Sequence, residues 1–372
     1  MRTLYSLLLA LLCVTCSAPR LTSGAPSPDD LPPAAPPETA TFLLGTYNDD
    51  GVHQPGIYRY TLLPDGSLEG QGRVAEANNP SFLAYTDDRS HLLAVEELGG
   101  ERKGNVVALT VQGDQLRDPQ RQSVMGAGPC HVNSNAAGYI TVATYAGGTL
   151  ELFRLREGVL SPRLDVRDHH GPSAPEPHAH SSYYTDDGST VLAADLGTNE
   201  VWRYFLSGDK LTAPTTVRMA EGAGPRHLAL HPNGKWAYVI NELNSTVTQL
   251  ELDGELSAVA SWSTLPDDYT GENYCADIHL SQDGRYLYGS NRGHNSIVAY
   301  TVDQQTGALT PLEHEPVAGD WPRNFALSPT EDYLLVANQR SKNITTLRRN
   351  KATGTLDFVT STTTPTPVCI LF

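Results

Sequence analysis

The chain has 372 residues, 39% of them apolar, with a formal charge of −16 and an isoelectric point near 5.1. That length supplies core for one large domain or several small ones, so the domain count must come from another signal. The acidic balance, with no Lys/Arg-rich run to offset it locally, excludes nucleic acid as a partner and leaves any anionic ligand to a few placed arginines.

The first element along the chain is a leader. Met1-Arg2 precedes an apolar run over residues 4–14, too short to span a bilayer, so residues 1–16 read as an export signal. Two mature starts fit: a lipid-anchored Cys16 after Val14-Thr15, or ordinary cleavage further along, near Ala25. Residues 17–40 are rich in Pro, Ala and Ser, as in Ala25-Pro26-Ser27-Pro28 and Pro36-Pro37, which suits a tether better than a core. The expected location is exported, periplasmic or at the cell surface, with no transmembrane helix in the mature chain. Cys130, Cys275 and Cys369 remain beyond the leader, without the spacing of a disulfide framework or a zinc knuckle, and read as small buried residues.

From residue 41 onward the dominant signal is repetition. Pro80, Pro129, Pro177, Pro225, Cys275 (in the proline place), Pro322 and Pro367 open successive copies at steps of 49, 48, 48, 50, 47 and 45. In the fourth copy, residues 226–231 form a strand, Pro232-Asn233-Gly234 a hairpin turn, 235–241 a second strand and 246–252 a third. Helical patterning is essentially absent, and a period near 48 with four strands per unit predicts propeller blades. Residues 367–372 match only the first strand of a copy, and residues 41–63 only later strands. The expected fold is therefore all-β, a seven-bladed β-propeller over 41–372 with four-stranded blades, one of them closed by both termini.

In a hairpin, the start of the first strand and the end of the second share one rim. The position after the opening proline holds Ser81, Cys130, His180, Arg226, Ala276, Arg323 and Val368, with His180 reached through two extra residues in its copy. The end of the second strand holds Glu97, Ala146, Leu196, Glu242, Arg292 and Gln339. Cations and carboxylates converging on one concave opening are partly desolvated, which is where ionisable groups are tuned for chemistry.

Pro177-His178-Ala179-His180, Gly224-Pro225-Arg226-His227, Asn241-Glu242-Leu243-Asn244, Ala276-Asp277-Ile278-His279 and Ser290-Asn291-Arg292 resemble, in this order, the signature segments of the propeller lactonase family. That family includes bacterial 6-phosphogluconolactonases and carboxymuconate lactonizing enzyme. The resemblance spans residues 41–372 and implies lactone chemistry at His180, Arg226, Glu242 and Arg292. Beyond it, Arg323, His178, Asp277 and Gln339 are expected as substrate contacts. Glu242 or His180 would activate water, and the arginines would hold a substrate anion and the developing oxyanion. The ligand class is an anionic or sugar lactone, and a monomer without cofactor is expected.

Strand alternation turns Asp277, His279, His131 and His227 toward a neighbouring blade, and Asp195 reads as a strand-end cap. His178 and His180 share a strand face as a metal pair would, but no third ligand stands at a defined spacing, so no metal is expected. Three functions fit: a lactone hydrolase, a lactonizing lyase or isomerase, and a non-catalytic exported ligand-binding propeller.

Overall fold

The computed structural model describes residues 39–48, 53–100, 103–171 and 176–372. The export signal, the Cys16 question and most of the Pro/Ala-rich tether lie outside the described residues. Among those described, every regular element is a strand, and the strands form seven antiparallel sheets.

The repeat originates in one turn, used six times between the inner and second strands of blades 2 to 7. The N–H of Arg89, Gly138, Gly188, Gly234, Gly284 and Glu331 donates to the carbonyl of Thr86, Asn135, Thr185, His231, Ser281 and Ser328, at 2.7–2.9 Å. All six donor residues have positive φ, between 54° and 79°. Asp187 shows why Asp precedes the turn residue: its Oδ1 accepts from the Thr185 hydroxyl at 2.6 Å and the Ser189 N–H at 3.0 Å, tying the loop to itself.

The inner strands are Leu83–Tyr85 in blade 2, Pro129–Ser134 in blade 3, Ala179–Tyr184 in blade 4, Pro225–Leu230 in blade 5, Tyr274–Leu280 in blade 6 and Pro322–Leu327 in blade 7. Blade 1 takes its inner strand, Pro367–Leu371, from the C-terminal end and its second, Ala40–Thr46, from the start of the described chain. The two pair antiparallel, with Leu44 opposite Ile370. Blade 3 departs from four regular strands. Its outer strand comes in two pieces, Val159–Leu160 and Asp165–Asp168, both on Thr149–Arg156, with Ser161-Pro162 between them, where proline lacks a donor for the ladder.

Second strands such as His91–Glu96, Trp236–Asn241 and Tyr333–Asn338 are buried at every residue, because each sheet is pressed on both faces by its neighbours. The apolar core is accordingly divided into seven clusters, each shared by two adjacent blades. Leu335 of blade 7 packs with Phe42 of blade 1, and Leu43 of blade 1 with Leu92 of blade 2. Seven blades in an open row would have one interface fewer, so the seventh cluster closes the ring. Closure brings the inner strands around one axis.

Candidate active site

Each inner strand from blade 3 onward slips in register just past its opening residue. Ladder partners skip Cys130, His180, Arg226 and Arg323, and in blade 6 both Ala276 and Asp277. The closing strand does the same at Val368. A bulge leaves one residue out of the ladder and re-aims its side chain. The residue after the opening proline is thereby turned toward the axis at one mouth of the channel.

The second strand of each hairpin returns to the same mouth. Its next residue donates a backbone N–H to the residue preceding the inner strand: Tyr47 to Thr366, Tyr145 to Gly128, Leu196 to His178, Glu242 to Gly224 and Gln339 to Trp321. Glu97 bonds to Asn79 likewise. Tyr145 thus holds the place expected of Ala146. The blade 3 turn is one residue shorter, since Tyr139 follows Gly138 directly where other copies insert a residue. Tyr47, the equivalent in blade 1, escapes sequence alignment because that copy is split between the two ends of the chain.

These side chains meet. Glu242 Oε2 lies 2.9 Å from Arg226 Nε and 2.8 Å from Arg292 Nη2. Arg226 Nη1 donates to the Ala276 carbonyl at 2.5 Å, and Arg292 to the carbonyls of Tyr274 and Cys275 at 3.1 and 3.0 Å. Arg292 also faces the ring of Trp321 at 5.1 Å, a residue held at φ 69° beside the mouth. Tyr47 donates to Glu97 Oε2 at 2.8 Å, and Arg323 lies over the Tyr47 ring at 5.3 Å. Among the described residues Arg323 forms no hydrogen bond or ion pair, and its guanidinium is held in the mouth by the Tyr47 ring and the charges of Glu97 and Glu242.

Three guanidiniums against the carboxylates of Glu97 and Glu242 give this opening a positive excess on a protein of net charge −16. Burial, then the nearby Arg226, pushes Arg292 down to about 9, where it still carries its charge at neutral pH. Burial would lower Arg323 too, but Tyr47, Glu97 and Glu242 outweigh it and hold the group fully charged. His180 is driven well below its ordinary value by burial and then by Arg226, His227, Arg323 and Arg292, so its imidazole is neutral.

Four mouth positions carry buried polar atoms without a hydrogen-bond partner: Ser81 Oγ, His180 Nδ1, Arg226 Nε and Gln339 Oε1. Arg226 Nε has its carboxylate at ion-pair distance, but the others have nothing. Native interiors leave few such atoms, so these are open to a water or a polar ligand.

Below the mouth the channel is plugged. His131 and His227, from blades 3 and 5, stand 5.5 Å apart, and Phe82 of blade 2 reaches within 5.8 Å of the His227 ring. These residues meet across the axis, beyond the neighbouring-blade contact expected of them. Access from the mouth therefore ends at this layer.

A family model described as "Lactonase, 7-bladed beta-propeller" matches residues 41–372. The chain belongs to this family. The 6-phosphogluconolactonase of Bacillus subtilis is 34% identical over 342 residues, covering 88% of this chain and 97% of the relative. A 6-phosphogluconolactonase of Formosa agariphila is 32% identical over 343 residues, covering 85% and 94%. Among solved structures, the periplasmic gluconolactonase of Pseudomonas aeruginosa superposes with a TM-score of 0.84 at 29% identity, covering 89% of this chain and 98% of that one. Lactonase-type activity follows from this membership.

Within the lactonase framework, the mouth brings together His180, Arg226, Glu242, Arg292, Arg323 and Gln339. His178 stands beside them, its ring stacked on Tyr145 at 4.5 Å and its Nδ1 donating to the Tyr145 carbonyl at 3.0 Å. Asp277, expected as a substrate contact, is a correction. It is 2% exposed, and its oxygens accept from His227 at 2.7 Å, His279 at 3.0 Å, Asn324 at 2.5 Å and the N–H groups of Ile278 and Phe325. No oxygen is left for a ligand, because Asp277 follows the mouth position as His131 and His227 do in their blades and lies with them in the layer beneath. Asp195 is a strand-end cap, accepting from the N–H of His178 and Thr198 at 2.9 Å each and pairing with buried His169 at 2.7 Å. Among the described residues no three His, Cys, Asp or Glu side chains are placed to share a metal ion.

Proposed function

We propose that the chain hydrolyses a sugar-type lactone at this mouth, as an exported monomer. The single observation that carries this reading is the set of polar groups at the mouth that no described residue engages by a hydrogen bond: the Arg323 guanidinium, His180 Nδ1 and Gln339 Oε1, beside the ion-paired Glu242. In the proposed reaction Glu242 takes a proton from water, whose oxygen forms a bond to the lactone carbonyl carbon. The carbonyl oxygen becomes an oxyanion beside Arg226 and Arg292, preorganised donors that need no rearrangement as charge develops, while Arg323 holds the substrate. The ring C–O bond then breaks, the proton passes to the leaving oxygen, and a hydroxy acid leaves, losing its carboxyl proton to solvent at neutral pH. Neutral His180 holds the attacking water or a substrate hydroxyl through Nδ1.

An outside location is supported by the leader reading of residues 1–16 and by the word "periplasmic" in the name of the Pseudomonas relative. It favours an unphosphorylated sugar lactone over a phosphorylated one. Mass spectrometry of the mature N-terminus separates a lipidated Cys16 from a start near Ala25.

The test is acid release at constant pH from D-glucono-1,5-lactone, its 6-phospho derivative and a carboxylate-bearing lactone, with wild type and Glu242→Gln. Loss of the base predicts a fall of about two to four orders of magnitude in kcat. Glu242 also neutralises two buried guanidiniums, so the variant is expected to melt lower, by about 3–5 kcal/mol of stability, while remaining folded. Binding of every lactone without turnover would overturn the hydrolase reading, and near-normal turnover in folded Glu242→Gln would remove Glu242 as base.

A further inference from the structure

The layer under the mouth contains an ionisable chain that the proposed reaction does not use. It starts at Arg226, whose Nη1 lies 3.3 Å from His227 Nε2. His227 Nδ1 lies 2.7 Å from Asp277 Oδ1, and Asp277 Oδ2 lies 3.0 Å from His279 Nε2. His227 and Asp277 are buried, whereas the His279 side chain is 41% exposed. His279 sits near the end of the inner strand of blade 6, five residues past the mouth residue Tyr274, so the solvent it meets lies below the plug.

We propose that His227, Asp277 and His279 are positioning residues that fix the Arg226 guanidinium in the mouth, and that His279, open on the far side of the plug, keeps His227 in the form that does so. This rests on the lactonase site assigned above. An imidazole that donates Nδ1–H to a carboxylate presents a bare Nε2, and a bare Nε2 accepts from an arginine N–H. Were His227 to gain a second proton, Nε2 would carry a hydrogen facing the guanidinium, and the contact would turn repulsive. The surroundings resist that proton. Burial, then Arg226, lowers His227 to about 4 against the pull of Asp277, and His279 adds to the lowering. Asp277 would be raised by its burial, but His279 and the hydrogen bonds from both histidines hold it well below the usual carboxylate range. His279 in turn would be lowered by the desolvation of its partly covered ring, but the Asp277 carboxylate outweighs this and raises it.

The other groups facing the chain leave this order intact. His131 and His180 stand 5.5 and 5.2 Å from His227, and burial lowers both, so they bring no charge. Tyr183 of blade 4 and Cys369 of blade 1 feel the Asp277 charge and are kept neutral by burial. From blade 7, His279 meets the Phe325 ring at 4.8 Å, and Asn324 supplies an uncharged amide to Asp277.

His279→Gln removes the distant cation without touching Arg226, so His227 should bind its proton more readily. The acid limb of kcat/KM on D-glucono-1,5-lactone is expected to move up by about half a pH unit or more. His227→Phe deletes the acceptor and should lower kcat about ten- to a hundredfold at every pH, with little change in KM. Nitrogen NMR of histidine-labelled wild type reads the same proposal without turnover: His227 should be the Nδ1–H tautomer at neutral pH, and its titration should shift upward in His279→Gln. An Nε2–H tautomer, or a titration unmoved by His279→Gln, overturns the positioning chain. The expected NMR behaviour in a protein that turns over no lactone would leave the chain standing and sink the hydrolase reading instead.

Discussion

At the turn face of the ring, six hairpins close with the same backbone bond, and four of the six use Gly at the same positive-φ position. At the mouth face, the other ends of these hairpins carry a different residue in nearly every blade: Cys130, His180, Arg226, Arg323 and Val368 in one column, Tyr47, Glu97, Tyr145, Glu242, Arg292 and Gln339 in the other. Both faces are built by one repeated hairpin. The turn does the same mechanical task in every blade and tolerates few chemistries, whereas a single axial site needs seven different neighbours. Repetition therefore reports the fold, and departure from it within a fixed register reports the site.

The severest way to break this comparison is to remove the element that both faces share. Deleting residues 367–372 takes away the inner strand of blade 1, exposing the Ala40–Thr46 edge and opening two of the seven core clusters. The expected outcome is loss of the cooperative thermal transition together with all activity. A truncated chain that melts like wild type would show that the ring does not depend on closure.

A change confined to the mouth should act on function alone. Arg323→Met keeps the length of the side chain and removes its charge. KM for a lactone substrate should rise about tenfold to a hundredfold, the worth of one charged hydrogen bond, with kcat changing less. Because Arg323 closes no ion pair with a described residue, its melting temperature should stay close to wild type. A variant with unchanged KM would mean that the substrate never reaches this cation.

How far the site was legible in sequence follows from the same contrast. The blade count and its closure could be read because the turn keeps its residues, and Arg226, Glu242, Arg292 and Arg323 could be placed by counting from it. Counting failed where a turn changed length, giving Ala146 for Tyr145, and where the copy was cut in two, hiding Tyr47. At Asp277 two readings compete, a substrate contact and a strand alternation that turns it toward a neighbouring blade, and its bonds to His227 of blade 5 and Asn324 of blade 7 bear out the second. Bulges depend on local hydrogen bonding that spacing does not record. The fragmented outer strand of blade 3 was equally silent, since an edge strand packs on one side only and leaves little pattern.

A substitution at the turn face sharpens the comparison from the other side. Gly284 has φ 69°, and a Cβ there would stand 2.6 Å from His231 Nε2. Arg89 and Glu331 occupy the same turn position at φ 54° and 57°, so a side chain can be carried there at a cost. Gly284→Ala is expected to lose about 1–2 kcal/mol, roughly 2 °C in melting temperature, while kcat and KM remain those of wild type. A change in KM would mean that the two faces are coupled more tightly than the shared hairpins require.

The smallest effect should come from the turn carboxylates. Burial would raise Asp283, but hydrogen bonds from Ser281 and Arg285 and the Arg285 charge lower it to about 2. Asp88 is lowered to about 2 chiefly by the N–H and hydroxyl of Ser90. A carboxyl with a depressed folded-state value contributes stability that is present above its unfolded value, near 4, and is lost as pH falls toward 2. Blade 5 supplies the natural control, since Asn233 stands in the same turn, accepts from the Lys235 N–H at 2.9 Å and has no proton to gain. Converting Asp88, Asp187 and Asp283 together to Asn should thus flatten the fall in melting temperature between pH 4 and pH 2 by about 1 °C, these groups being exposed and strongly screened. Activity at neutral pH should not move. An acid limb as steep as that of wild type would assign acid sensitivity to the buried Asp277 of the plug, which is held well below the usual carboxylate range, rather than to the turns.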